Sequence, residues 1–171
     1  RHHLYTRAEM AERAQAPLVA AQCMMLREAM LEQISPVTGS RLLMDCCRPG
    51  GVHLPQAEQV GALCDSLARM GLAGHPALQE LWDSFPGLAA RLTGLGVTRA
   101  EDLARVGLEG PVARAAAQDC DTRRLLGLYD GLWRYTAGRQ NGSAADRAQL
   151  LLDEIAESLT LLAKLAVHLG D

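Results

Sequence analysis

The side chains of this sequence that could hold a metal are few and awkwardly spaced. Cys46, Cys47 and His53 fall within eight residues, but adjacent cysteines point in divergent directions, and a closed tetrahedral zinc site is built from CxxC-type pairs on two segments. These cysteines are expected to act as small buried hydrophobes, with His53 a turn residue. His2-His3 reads as the end of a purification tag, a metal-binding pair or a helix-surface pair, the first being favoured. His75 before Pro76 and His168 near a helix end read as capping residues. No nickel, iron or zinc site is therefore expected, and no metal ligand is assigned.

Nucleophilic chemistry finds no frame either: the sequence holds no GxSxG and no SxxK. Gly94-Leu95-Gly96 lacks the third glycine of a phosphate loop and follows a helical segment, so it reads as a helix-terminating turn. The carboxylate pairs Glu101-Asp102 and Asp153-Glu154 read as a helix start and a solvated helix face. No acid, base or nucleophile set can be named, and no catalytic residue is assigned. What remains is a set of arginines beside glycine turns: Arg41 and Arg48 flanking Asp45, Arg91 before Thr93-Gly94, and Arg114 four residues after Gly110. Such an arginine either bonds carbonyls and carboxylates of its own domain or forms a polar seam against a partner subunit.

The elements that must position these residues are mainly helices. Residues 5–33 contain no glycine and one proline, Pro17, which kinks or splits a long helix, and Pro36 ends the stretch. Residues 38–52 predict a short extended segment and a tight turn at Arg48-Pro49-Gly50-Gly51-Val52. Beyond Pro55, Val60, Leu63, Leu67 and Met70 follow at helical spacing up to a stop at Gly71. Shorter helices are expected from Pro76 to Phe85, over residues 87–92, after a capping box at Thr98 and Glu101 as far as Gly107, and over residues 112–117. Residues 127–142 read as a loop or weak hairpin. The clearest element starts at Ser143 with Asp146 three residues on, and carries Leu151, Ile155, Leu159, Leu162, Leu165 and Leu169 as one apolar stripe. The expected architecture is a mainly α-helical bundle with one short extended segment and one tight glycine turn, in a single domain over residues 1–171.

Composition narrows the classes. Seventeen basic against twenty acidic residues give a formal charge of -3 with no Lys/Arg stripe, so nucleic acid is not an expected partner. Apolar residues at 49% and charged residues at 22% are ordinary for a globular protein. Five cysteines without a CxxC suit a reducing compartment. The apolar runs fall short of the roughly 18 residues that span a bilayer, so any membrane association is expected to be indirect. The sequence opens on Arg1 rather than methionine, as a fragment of a longer protein would.

The order of motifs resembles a known family. Thr38-Gly39-Ser40-Arg41, Arg48-Pro49-Gly50-Gly51-Val52, residues 91–97, Glu101-Asp102, residues 110–115, Asp121-Thr122-Arg123, and then Arg147 with Glu154 and Ser158 are similar in sequence and spacing to the large subunit of membrane-bound, energy-converting nickel-iron hydrogenases and its relative, the D subunit of respiratory complex I. Hydrogenases of this family carry nickel and iron on one CxxC before the matched region and another after it. Complex I subunits lack those cysteines and use the vacated space for quinone. This sequence holds neither CxxC; Leu43 and Met44 stand where the complex I subunits commonly carry a histidine pair, and Ala115-Ala116-Ala117 replaces the usual Ala-Ser-Gly after arginine.

The resemblance implies the helical core of a large-subunit-like component of a membrane-associated hydrogenase or NADH:quinone oxidoreductase complex, serving electron transfer as scaffold and docking surface beside an iron-sulfur small subunit. Arg41, Arg48, Gly50, Gly51, Arg114, Asp121 and Arg123 become its family-motif and candidate partner-interface residues. No cofactor is expected in this chain: a nickel-iron centre or quinone is implied for the complete subunit alone, and NAD binding for the wider complex. The implied location is the cytoplasm or the cytoplasmic face of a membrane reached through partner subunits, with self-association through an exposed partner face as a further expectation. The rival reading is a free-standing helical interaction module that has lost the redox role.

Overall fold

In the computed structural model, residues 1–118, 121–127, 129, 131–133, 139 and 141–170 are described; Cys120 and part of the loop expected over residues 127–142 lie outside the described residues. The chain is mainly helical, as its patterning predicts. Leu4, Arg7, Ala8 and Ala11 form the buried face of α1 (His2–Arg13). Pro17 does split the first helical stretch: it stands in the first turn of α2 (Pro17–Thr38), where its missing N–H is no loss, and Gln15 makes the corner at φ 59°. Pro36 does not end α2. Its Thr38 hydroxyl bonds the Ile34 carbonyl at 3.0 Å and the Gly39 amide bonds Ser35 at 2.9 Å, so the last turn is held without the proline's amide.

The extended segment is a hairpin of two-residue strands, β1 (Cys47–Arg48) and β2 (Gly51–Val52), antiparallel with Cys47 opposite Val52 and Arg48 opposite Gly51. Proline followed by Gly50 at φ 87° is the sequence of a type II turn.

The largest departure from expectation is α3 (Ala57–Ser84). It runs 28 residues through Gly71, where a stop is expected, and through Pro76, where a new helix is expected. Gly71 is a notch rather than a terminator: a Cβ there would lie 2.2 Å from Cδ2 of Leu159, the side chain that fills the space. His75 likewise caps nothing; its Nε2 lies 3.1 Å from the Leu152 carbonyl oxygen.

After α4 (Leu88–Leu92) and α5 (Ala100–Val106) come α6 (Pro111–Ala115) and α7 (Thr122–Leu125). Gly107 closes α5 in the left-handed region, as expected, but Arg99 rather than Thr98 stands at its N-cap; the Thr98 hydroxyl turns back to the Gly96 carbonyl at 3.4 Å.

The last helix, α8 (Ala144–Gly170), has the capping box its sequence predicts. The Asp146 amide bonds the Ser143 hydroxyl at 3.2 Å, and the Ser143 amide bonds the Asp146 carboxylate at 3.1 Å. Leu151, Ile155 and Leu159 are buried as the stripe predicts, and so are Ala148, Leu150, Leu152 and Glu154, so the first half of α8 is enclosed on more than one side. α3 gives α8 its most extensive contact, with α1 and α6 also packed on it, and Leu78, Trp82, Leu88 and Val19 complete the main core. Among the described residues no helix is long and apolar enough to cross a membrane.

The Gly71–Leu159 notch generates a sign reversal. Gly71→Ala in the wild type is expected to cost about 1–3 kcal/mol by overpacking. In a Leu159→Ala background the same substitution should stabilise by about 0.5–1 kcal/mol, because the space is open and alanine is the better helix residue. Denaturant melts of the four proteins check this, and equal costs in both backgrounds would show that the notch is not filled by Leu159.

Candidate functional site

The seven motif residues separate into two groups. Arg114, Asp121 and Arg123 come together inside the molecule around Glu154; Arg48, Gly50 and Gly51 form the exposed hairpin turn, with Arg41 exposed on the segment leading to it.

The inner group is assembled from four elements. Arg114, 5% exposed, projects from α6 and pairs with Glu154 on α8, which is 3% exposed. Its Nη1 also stands 3.7 Å from Oδ2 of Asp121. Asp121 caps α7 by accepting the Arg123 amide at 2.9 Å, and holds the Arg123 guanidinium through Nε at 3.0 Å and Nη2 at 2.6 Å. Arg123 stacks over Trp133 at 4.6 Å and reaches to 3.8 Å from Glu154. From α1, His3 Nε2 meets the second Glu154 oxygen at 2.8 Å. Two guanidinium groups thus face two carboxylates, the near-balance that buried charge demands.

Backbone close approach makes this arrangement possible. Gly142, just before α8, donates its amide to Ala115 at 2.9 Å and accepts from the Thr98 amide at 3.1 Å. A Cβ on Gly142 would lie 2.3 Å from the Thr98 carbonyl oxygen, so only glycine lets the start of α8 lie against the end of α6.

Electrostatics hold both carboxylates ionised. Burial alone would push Glu154 up, but the His3 hydrogen bond and the Arg114 charge outweigh it and keep its carboxyl below the usual range. Burial opposes Asp121 in the same way, and the hydrogen bonds and charge of Arg123 hold it down; Asp121 in turn raises Arg123. Groups held this way are posts for positive charge rather than proton donors poised near neutral pH.

Glu154 is therefore not on a solvated helix face, as the carboxylate pair suggested. Its position one turn from Leu150 and Leu151 was the available signal. Arg7, which no sequence motif singles out, is fully buried on α1, donates to the Ala148 carbonyl at 2.5 Å and lies 3.8 Å over the Trp82 ring. Its burial lowers it to about 10. Its place among Leu4, Ala8 and Ala11 on one face was the signal there.

The outer group differs in every respect. Arg41 pairs with Glu28 of α2, and the Arg48 Nε donates to the Asp45 carbonyl at 3.1 Å; both are exposed. Around them Leu42, Leu43, Met44, Val52 and Leu54 are exposed, Val52 by 69% and Met44 by 64%. Leu43 and Asp45 hold φ of 59° and 62°, an uncommon backbone that turns this segment outward from the end of α2. Cys46 is buried here and Cys47 is exposed, so Cys47 is not the buried hydrophobe expected of it. Cys23 and Cys64 are buried elsewhere, and burial pushes both thiols up.

Comparison with known proteins agrees with the motif order. A family described as respiratory-chain NADH dehydrogenase, 49 Kd subunit, matches residues 16–171. The D 2 subunit of NADH-quinone oxidoreductase from Rhizobium etli is 31% identical over 142 residues, covering 80% of this chain and 34% of the relative. The corresponding D 2 protein of Salinispora tropica is 33% identical over 141 residues, with 79% and 35% covered. The C/D subunit of the Bacteroides fragilis oxidoreductase is 29% identical over 144 residues, with 81% and 27% covered. The chain spans between about a quarter and a third of the length of these curated relatives.

The buried cluster makes two expectations. Arg114→Ala should cost about 3–5 kcal/mol, since it leaves Glu154 ionised and poorly paired in the interior; a loss under about 1 kcal/mol in a denaturant melt would contradict the burial of this pair. Because Glu154 and Asp121 are held below their unfolded values, their contribution is present above about pH 4 and is lost as the pH falls through the lower folded values. The wild type should therefore lose stability steeply in acid, and Glu154→Gln, less stable at neutral pH, should show a shallower acid limb. Parallel limbs would rule this out.

Proposed function

The chain belongs to the family of the 49 kDa subunit of respiratory-chain NADH dehydrogenase, and from that premise we propose that it is the helical core of a component like the complex I D subunit, holding a neighbouring iron-sulfur subunit in place rather than making or breaking bonds itself. The observation that carries this reading is the exposed apolar segment at residues 42–54. Five large apolar side chains stand in solvent beside two arginines, on and next to the motif at residues 48–52. Arginine beside apolar surface is the composition of a protein interface, and a surface of this kind is costly for a chain that meets no partner.

The relatives are named as subunits of NADH-quinone oxidoreductase, and the proposed assembly for this chain is of that branch. Quinone and NAD chemistry belong, in this reading, to the assembled complex, located in the cytoplasm or at the cytoplasmic face of a membrane reached through partner subunits. A nickel-iron centre does not fit the residues described. Cys23 and Cys64 lie on different helices with thiols pushed up by burial, and Cys46 and Cys47 are sequence neighbours, one buried and one exposed, whereas such a centre requires clustered thiolates in CxxC pairs.

The reading is tested by co-expressing the chain with the iron-sulfur subunit of its complex. Val52→Asp and Arg48→Ala should each leave the melting temperature within about 2 °C of wild type, since neither side chain is packed, while reducing co-purification about tenfold or more. Undiminished co-purification of both folded variants would remove the hairpin from the interface. Self-association through the same hairpin without retention of the iron-sulfur subunit would favour the free-standing interaction module instead.

A further inference from the structure

A pocket of about 720 Å³ opens on the side of the bundle, lined by one face of α1, the end of α4 with the turn after it, the start of α6 and the first turns of α8. None of the hairpin residues lines it, so its occupant is independent of docking through the hairpin. Its volume lies within the range of about 300–1,000 Å³ typical of small-molecule sites. The walls are apolar: Met10, Leu92, Leu95, Val112 and Leu151 face it.

The charged groups of this pocket all carry one sign. Arg13, Arg91 and Arg147 line it together with His2, and among the described residues no aspartate or glutamate does. Arg91 donates to the Ala14 carbonyl at 2.6 Å, and Arg147 to the carbonyls of Gly142 at 2.7 Å and Gly96 at 3.1 Å. These bonds fix the two guanidinium groups but leave their charge uncompensated, because a carbonyl is neutral. Arg13 makes no ion pair among the described residues. Several arginines elsewhere are matched with carboxylates, Arg41 with Glu28, Arg69 with Asp65, Arg105 with Asp102 and Arg139 with Asp153, while Arg7 and Arg48 bond carbonyls singly and in separate places. Three cations around an apolar hollow without a counter-charge suit an occupant that brings both features: a hydrocarbon body and one anionic end.

We propose that this pocket binds a single acyl chain ending in a carboxylate or phosphate, with the chain against Met10, Leu92, Leu95 and Leu151 and the anionic head at Arg13, Arg91 and Arg147. A free fatty acid and a lysophospholipid share this chemistry.

The test is calorimetric titration of the purified chain below micellar concentrations with oleate, oleoyl lysophosphatidate, oleyl alcohol, acetate and inorganic phosphate. Oleate or the lysophosphatidate, whichever is tighter identifying the source, should bind once per chain. Oleyl alcohol, acetate and phosphate should each bind about tenfold or more weakly, the alcohol lacking the charge and the small anions lacking the chain. Arg13→Ala, at an exposed side chain with no ion pair to lose, and Arg91→Ala should weaken the charged amphiphiles about tenfold without changing the alcohol. Leu95→Asp, on a side chain 58% exposed, should weaken all three long-chain ligands. Circular dichroism melts establish that each variant is folded; should Arg91→Ala fail to fold, Arg13→Ala alone decides. Equal binding of alcohol and acid, several ligands per chain, equal binding of acetate or phosphate, or unchanged oleate affinity in folded Arg13→Ala would overturn the proposal.

Discussion

An ionised carboxylate in the enclosed half of a central helix cannot be neutralised by that helix alone, and this constraint organises much of the molecule. Glu154 takes its counter-charge from α6 through Arg114, and Arg114 requires Asp121, which requires Arg123. The short helices α6 and α7, too brief to be stable by themselves, are thereby tied to the long ones. Gly142 is the geometric condition for the same arrangement, since any side chain there would drive α8 away from Thr98 and the end of α6.

The family motif thus serves two opposite ends in this chain. Its charged inner members satisfy one another, with Arg114 and Asp121 buried, while its outer segment puts apolar side chains outside beside Arg41 and Arg48. Charge inside and hydrocarbon outside is the reverse of the usual distribution. It is stable inside because the charges balance, and outside because the segment is short and ends in a tight turn. Membership of the 49 kDa family rests on sequence similarity; the division of labour among the motif residues comes from their burial.

Elements whose patterning is periodic were legible without coordinates: the amphipathic stripe of α8, its capping box at Ser143, the proline that separates α1 from α2, and the turn at Pro49-Gly50. What could not be read was any feature set by a distant segment. Gly71 and Pro76 are ordinary terminators in isolation, yet α3 continues through both, and at Gly71 the missing side chain is the space that Leu159 fills. The carboxylate pair at Asp153-Glu154 looks the same whether solvated or buried until α6 is seen to bring Arg114 to it. Arg7 sits in the apolar stripe of α1, but nothing local announces the Trp82 ring and the Ala148 carbonyl that receive it. Of the seven motif residues, the order along the chain was readable, and the split into an inner and an outer group was not.

The contacts of α1 also set a timetable. Arg7 bonds a carbonyl 141 residues later in the chain, and His3 finds its carboxylate on the same last helix. During synthesis α1 therefore emerges with a cation and an apolar face whose final neighbours do not yet exist, and it can form its hairpin with α2 but cannot complete its environment until α8 has left the ribosome. Closing such a long loop comes late and slowly, because its entropy must be lost before any contact repays it. The helical hairpin of α1 and α2 is in that sense a waiting element, held together by local packing while the helix that will seal it is still being made.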